Sequence, residues 1–465
     1  MRRGAAMPGA LWIVGALALM SAFTLFGAAG GRSDTLSMWM FARVHKLMYD
    51  PMIERFEAEG RPIDVRVLSI PALERRMMGG FLSGMPTADV LEVERRIANR
   101  AFAGPLHTVG FLDLTDRLQD SGLIDELNTP SLGPWTSRGR VFGLPHDVHP
   151  VLLAYRADIV EAAGIDVSEI ETWADFERVM APLLRRAGDP GVTSDNERYL
   201  LPLGVSAPYI DVIEMLLLQA GGGFFDETGA VRIDSPENER VLIELVRWTT
   251  GPTRIAGDAP EFDPTGNQLK LDGYVVGIFM PDWLCSIYKA ELPQLSGKLK
   301  VMPMPAWDPG GRRTSVWGGT MLGISKNSGR VDEAWDFASE LYFTRELAHT
   351  LFRDTDIITP VTRYWDDPIF DEPDAFFAGQ PKGRLYIDAA PDVPVRISSP
   401  YTRLAKTALQ TAFVRLRDYA DAQGTTDREA LRPEAKRLLA EAHRTVADQA
   451  ARNVFLTDPQ PEQDQ

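Results

Sequence analysis

Residues 143–156 read GLPHDVHPVLLAYR, and the reading of this stretch decides the fold. A polar knot of His146, Asp147 and His149 lies between Pro145 and Pro150, and an apolar run from Val151 to Tyr155 follows at once. Proline fixes φ, lacks an N–H and pushes the residue before it towards extended backbone. The polar residues therefore sit on a stiff, extended segment that feeds a strand. Such a segment suits a chain crossing between two domains with side chains turned into the gap. It suits an ordinary loop before a core strand equally well, and the rest of the chain has to choose.

At 465 residues the chain has room for about two to four domains. Hydrophobic residues at 45% and charged residues at 25% are ordinary for a soluble protein, and a net charge of −16 sets nucleic acid aside as a partner. Cys285 is the one cysteine, so neither a disulfide nor a cysteine-based metal site forms within the chain. The amino terminus (residues 1–32) carries the compartment signal. Arg2 and Arg3 precede an apolar run from Ala10 to Gly31, with Gly27, Ala28 and Ala29 at its small-residue end. That is the pattern of a signal peptide, with cleavage expected after Ala29. Roughly 20 apolar residues also suffice to span a bilayer, so an uncleaved inner-membrane anchor is the alternative. No cysteine near the run offers lipid attachment. The expected location is periplasmic.

Further along, Leu36–Phe41 reads as a buried strand, and Asp50-Pro51 as a helix start with Asp50 at the cap. Gly60 is a natural stop. Ile63, Val65 and Val67 alternate with Asp64 and Arg66 as in a half-buried strand, a helix follows to about Phe81, and Ala88–Glu94 forms a third strand. Strand, helix, strand, helix, strand implies a parallel sheet, in which ligands gather at the carboxyl ends of strands. Residues 39–45 and 92–95 occupy such places. Later helices are expected over 157–164, from Thr172 as a cap, over 209–220, and from Ser235-Pro236 to Thr250; others follow over 331–343, 404–419 and 431–447. Strands are expected over 274–280 and 316–324. Gly221–Gly223 lacks the Lys-Ser/Thr of a phosphate loop and reads as a helix stop. The tail 451–465 is acidic and frayed.

Several segments together resemble the extracellular solute-binding proteins of ABC importers, in the sugar-binding branch. They are GLPHDVHPVLLAYRADIVEAAGI with TWADF, MPTADVLEVE, WGGTMLGISKNSGRVDEAWDFASELYFTRELA and SPYTRLAKTALQTAFVRL. In order and spacing they span nearly all of the chain after the amino-terminal run. The resemblance implies an α/β, two-lobed periplasmic binding protein of type II, each lobe a mainly parallel sheet flanked by helices, with hinge crossings between them. By analogy, lobe 1 takes residues 33–146 and 315–365, and lobe 2 takes 150–306 and 370–450. Residues 143–156 become the first crossing. The partners implied are a mono- or oligosaccharide and the permease subunits of an importer, with the protein a monomer and no cofactor.

A sugar has an apolar C–H face and a rim of hydroxyls, so its site needs aromatic platforms and carboxylates. Asp282-Trp283 offers an acceptor and a platform just past a strand. Trp317-Gly318-Gly319 offers a platform with backbone that a ligand can approach closely. Asp147 and His149 face the gap on the crossing. Trp39, Phe41 and His45 follow the first strand, with lobe-core packing as the competing reading for the aromatics. Glu92 and Glu94 share one side of an extended segment, and a solvated pair is their alternative. Arg353, Trp365 and Tyr401 complete the candidates, each equally readable as a surface or inter-helix residue. His146, Asp147 and His149 fall short of the ligand set a metal needs, and no H-E-x-x-H occurs, so no metal is expected. No G-x-S-x-G elbow supports a serine hydrolase. The rivals are a secreted carbohydrate-active enzyme, for which no carboxylate pair stands out, and a binder of a peptide, polyamine or other small solute on the same fold.

Overall fold

A computed structural model describes residues 35–205 and 209–454. The amino-terminal segment 1–32 and the tail from residue 455 lie outside the described residues. Chain order is β1 (Leu36–Met40), α1 (Arg43–Ala58), β2 (Ile63–Val67), α2 (Ile70–Ser83), β3 (Val90–Glu94), α3 (Arg95–Ala101), β4 (Leu144–Pro145), β5 (Val151–Arg156), α4 (Ala157–Ala162) and α5 (Trp173–Met180). There follow β6 (Leu201–Pro202), α6 (Ile210–Gln219), α7 (Pro236–Thr249), β7 (Ala256–Gly257), α8 (Pro264–Leu271), β8 (Gly277–Pro281), α9 (Asp282–Glu291) and β9 (Leu299–Pro303). The chain closes with β10 (Thr320–Ile324), α10 (Val331–Tyr342), α11 (Arg345–Thr355), α12 (Lys382–Ala389), α13 (Thr402–Gln423) and α14 (Arg428–Ala450).

Two sheets carry the fold. One has the order β2-β1-β3-β10-β4, with β1 parallel to β2 and β3, and β10 antiparallel to both its neighbours. The other has the order β8-β5-β9, with β5 antiparallel to both neighbours. A parallel β6-β7 pair continues this second layer, because Gly277 N donates to Leu200 O (2.7 Å) and Val276 N to Tyr199 O (3.0 Å). The mainly parallel arrangement therefore holds in both layers, with one exception in each. The exceptions, β5 and β10, are the strands that follow the two proline- or glycine-marked crossings, and each enters the middle of a sheet.

The cores follow the sheets. Met38, Met52, Val90, Leu322, Phe337 and Leu351 pack around the first, while Leu153, Trp173, Leu216, Trp248, Leu409 and Leu438 pack beside the second. Helix α6 is buried along nearly its whole length, and its Glu214 and Gln219 are buried with partners of their own.

Local chemistry sets most boundaries. Thr172 and Asp175 form a reciprocal capping box on α5, and Ser235 caps α7 by accepting from Asn238 N. Asp50-Pro51 is not a start: α1 begins at Arg43 and carries Pro51 inside it. The carbonyl that Pro51 leaves without a helix donor belongs to Leu47, which is 63% exposed, so the helix carries the proline on its solvent side. Asp50 pairs instead with Lys46 Nζ at 2.6 Å, one turn earlier. The run 316–324 splits, because Gly318 (φ 125) and Gly319 (φ 132) hold positive-φ backbone and the strand begins only at Thr320.

Candidate functional site

Strand ends and crossings meet at one place. The last residue of β3, Glu94, pairs with the first of β10, Thr320; the last of β8, Pro281, pairs with the first of β5, Val151. The two crossings run side by side, with Val151 N donating to Ser315 O (3.1 Å) and Trp317 N to His149 O (3.4 Å). A third segment joins them where Val148 N donates to Ile358 O (3.2 Å). Outside these ends lies a cleft of about 480 Å³, within the roughly 300–1,000 Å³ of small-molecule sites. Phe41, His45, Glu94 and Arg95 line one side, Tyr209, Asp211, Glu261, Phe262 and Trp283 the other, and Asp147, His149 and Trp317–Gly319 lie between.

The polar residues of the first crossing form a lock. His149 sits in left-handed backbone (φ 57), uncommon for a residue with a Cβ. Its Nε2 lies 2.9 Å from Asp147 Oδ2 and its Nδ1 2.7 Å from Asp282 Oδ1. Burial alone would lower the imidazole's pKa, but the two carboxylates raise it to about 10, so the ring is a buried imidazolium. Burial works against the Asp147 carboxylate too, yet His149 and His146 hold it well below the usual carboxylate range. Asp282 has no exposed surface, and it also accepts from Trp283 N (2.8 Å) and Ile358 N (2.8 Å). Its two oxygens thus tie the first crossing, the start of α9 and the third segment together. This corrects Asp282 as a rim acceptor: its acceptor sites are occupied by the protein.

Trp283 is half-buried in the cleft wall and packs against three of the apolar cores. Its Nε1 donates to Trp317 O at 2.6 Å, and the two indoles meet edge to face with centroids 5.8 Å apart. Trp317 is 8% exposed, so it reaches the cleft with little surface and is mostly core. Gly318 is required by packing. A Cβ there would stand 2.4 Å from His149 Cδ2 and 2.9 Å from Trp283 Nε1. The small residue admits two protein side chains, where sequence reading expected an approaching ligand.

Glu92 and Glu94 part company. Glu94 lines the cleft and caps α3 by accepting from Arg96 N. Glu92 is fully buried beneath it, accepting from Tyr49 Oη (2.7 Å) with His45 Nδ1 3.0 Å from its other oxygen, which corrects it as a cleft residue. The ring of His146 stacks on His45 at 4.3 Å, and its Nδ1 contacts Asp147. Burial, then His45, lowers the pKa of His146. His45, Glu92 and His146 bring one ligand atom each within 4.8 Å of one another, a grouping invisible in their spacing.

A buried ionic cluster spans the cleft. Arg95, 3% exposed at the end of β3, reaches Asp211 (2.8 Å) and Glu214 (3.4 Å) on α6. Lys406 of α13 contacts the same Asp211 and lies 2.8 Å from Glu214. Burial opposes the charge on Glu214, but Lys406 and Arg95 hold its carboxyl below the usual range. Arg396 donates to Gly318 O and Val316 O (both 2.7 Å), fastening the second crossing, and burial together with Arg95 lowers its pKa to about 10.

Four candidates lie away from the cleft. Trp39 shares the Phe41 side of β1 but sits two residues back inside the strand, about 7 Å at the usual rise per residue; it packs in a neighbouring core with Arg76 above it. Arg353 is on the exposed side of α11. Trp365 spends its Nε1 on Thr359 O (2.9 Å) and packs on the core beside α12. Tyr401 stands at the start of α13 and packs on the α6–α14 core. Residues that sequence reasoning missed are Tyr209, Asp211, Glu261 and Phe262 of the lining, with Lys406 and Arg396 behind. The segment EFDP at 261–264, an aromatic between two acids before a proline-marked helix start, was the available signal for two of them.

Two mixed sheets, adjacent crossings and a cleft at the facing strand ends define a two-lobed periplasmic binding protein of type II. The chain belongs to the bacterial extracellular solute-binding protein family, whose profile matches residues 46–345. It is 25% identical over 407 residues to the arabinooligosaccharide-binding protein of Halalkalibacterium halodurans, covering 85% of this chain and 87% of that one. To the arabinooligosaccharide-binding protein of Bacillus subtilis it is 24% identical over 321 residues, covering 67% and 70%. Among solved structures it resembles the sugar-binding protein MalE of Xanthomonas citri, with TM-score 0.71, 16% identity, and 90% and 98% of the two chains covered. Among the described residues no helix is long and apolar enough to cross a membrane.

Proposed function

We propose that this protein captures a mono- or oligosaccharide in the cleft between its lobes and delivers it to an ABC importer. The observation that carries the reading is Trp283, an indole fixed by its hydrogen bond to Trp317 O, facing a cleft that also holds Glu94 and Asp211. An aromatic plane with carboxylates around it matches the C–H face and hydroxyl rim of a sugar. The relatives named for arabinooligosaccharide binding support this class of ligand. Lobe 1 is residues 33–146 with 315–365, and lobe 2 is 150–306 with 370–450. Phe41, His45, Glu94, Asp147, His149, Trp283 and Trp317 border the ligand. The protein acts outside the cytoplasm as a monomer and does no chemistry on its ligand.

Titration calorimetry with neutral oligosaccharides, arabinan fragments included, tests this. The wild type binds at least one, and Trp283→Ala weakens that binding about tenfold or more, ~1.4 kcal/mol. No binding across the panel, or cleavage of a bound sugar, overturns the reading.

A further inference from the structure

Phe262 is an anomaly. It is 60% exposed and holds left-handed backbone (φ 60), a genuine outlier for a bulky side chain. The segment around it is nevertheless firmly built. Lys270, 1% exposed, donates to Pro260 O (3.0 Å) and pairs with Glu261 Oε2 (3.0 Å). Tyr288 Oη donates to the same Glu261 carboxylate at 3.1 Å. Asp263 caps α8 through Thr265 N and Gly266 N. Gly266 lets the turn close, since a Cβ there would lie 2.0 Å from Pro260 O. Both flanks are locked, and Phe262 is held outward by the lock.

The direction it faces gives this meaning. Phe262 lines the cleft beside Trp283, with ring planes 10° apart and centroids 6.0 Å apart. Strained backbone persists where the surroundings over-determine it, and such sites cluster at ligand contacts. The two rings, held by separate elements, stack with near-parallel planes and bring adjoining aromatic surface to the cleft. The cleft volume of about 480 Å³ also exceeds what one sugar unit fills.

Resting on the carbohydrate reading above, we infer that Phe262 is a specificity-determining residue that holds a second sugar unit next to the one on Trp283, so that the preferred ligand is an oligosaccharide of two or more units. Phe262→Ala deletes the second platform and leaves the first. Because the side chain is exposed, the fold survives the change, and circular dichroism checks that it does.

Calorimetry with arabinose, arabinobiose and arabinotriose, and in parallel with glucose, maltose and maltotriose, reads the effect. In the series that the wild type binds, Phe262→Ala loses about tenfold or more on the di- and trisaccharide, the worth of a good aromatic contact, and keeps monosaccharide affinity within about twofold. Phe262→Trp restores oligosaccharide affinity. A variant that follows wild type along the whole series, or loses equally on the monosaccharide, overturns this inference alone; the second outcome makes Phe262 a general cover for the cleft. A wild type that binds neither series overturns the carbohydrate reading, and this inference with it.

Discussion

Replacing Asp282 with asparagine keeps the shape of the side chain and removes its charge. In the wild type this buried carboxylate faces His149 Nδ1 at 2.7 Å, Trp283 N at 2.8 Å and Ile358 N at 2.8 Å. Asparagine offers one oxygen and must aim its NH₂ at one of those donors. Removing one member of a buried ion pair costs about 3–5 kcal/mol, because the other charge is left behind. His149 keeps Asp147 at 2.9 Å, so the lock is weakened but not abolished, and a loss of about 3–5 kcal/mol is expected. Urea unfolding at pH 7 measures it. The pH profile supplies a second readout. His149 is held up to about 10 in the folded protein, above its ordinary 6.5, so the folded state binds the extra proton between those values. Its contribution is full below pH 6.5 and is lost as pH rises towards about 10, at about 1.4 kcal/mol per pH unit. Asp282→Asn removes one of the two anions that hold His149 up, so the alkaline loss still begins near pH 6.5 but ends at lower pH and is smaller in total. A variant within about 0.5 kcal/mol of wild type, with the same alkaline profile, refutes the lock.

Two further substitutions probe the same architecture. Gly318→Ala drives a Cβ to 2.4 Å from His149 Cδ2 at a backbone φ of 125 and is expected to cost about 1–3 kcal/mol, seen as a lower melting temperature in scanning calorimetry; an unchanged melt contradicts the packing argument. Pro51→Ala returns the missing N–H to the Leu47 carbonyl inside α1, and urea unfolding should show a gain of about 1–3 kcal/mol, with no gain meaning that water already serves that carbonyl as well.

Features written in short stretches were legible in the sequence. The strand at Leu36–Phe41, the Thr172 cap and the Ser235-Pro236 start each depend on residues a few positions apart, and the structure has them within a residue of where they were expected. The prolines around 146–149 fitted a crossing and an ordinary loop equally, and it was the order of the resembling segments that made 143–156 a crossing; the structure takes the chain there from one sheet (Leu144–Pro145) to the other (Val151–Arg156). What failed depended on distant partners. Nothing near Asp282 announces that His149, 133 positions away, and Ile358, 76 positions away, will use up its oxygens. Glu92 and Glu94 look alike in sequence, yet one meets Tyr49 and His45 of α1 while the other reaches the cleft. Pro51 misled because the helix carries this proline on its solvent side, and which side faces solvent is a property of the folded surface. Trp283 was legible as a residue past a strand end. Its fixing by Trp317 O was not.

The Arg95 cluster that links the cleft walls is ionic where the lobe cores are apolar, and the difference bears on how such a molecule works. Arg95 meets Asp211 and Glu214 from the opposite wall, with Lys406 behind them. Buried ion pairs return little beyond the cost of stripping water from their members, so charges that separate and rehydrate lose little free energy. An apolar seam of the same area would favour the closed arrangement by about 25 cal/mol per Å² and hold it shut. Ionic links set the register of two bodies without clamping them. The balance is then left to whatever binds the closed arrangement better than the open one, since a ligand shifts an equilibrium only by its differential affinity. Asp282 and His149 supply the fixed point: the crossings stay tied to the start of α9, so Trp283 keeps its place at the cleft wall while the contacts that span the cleft are the cheap ones to break.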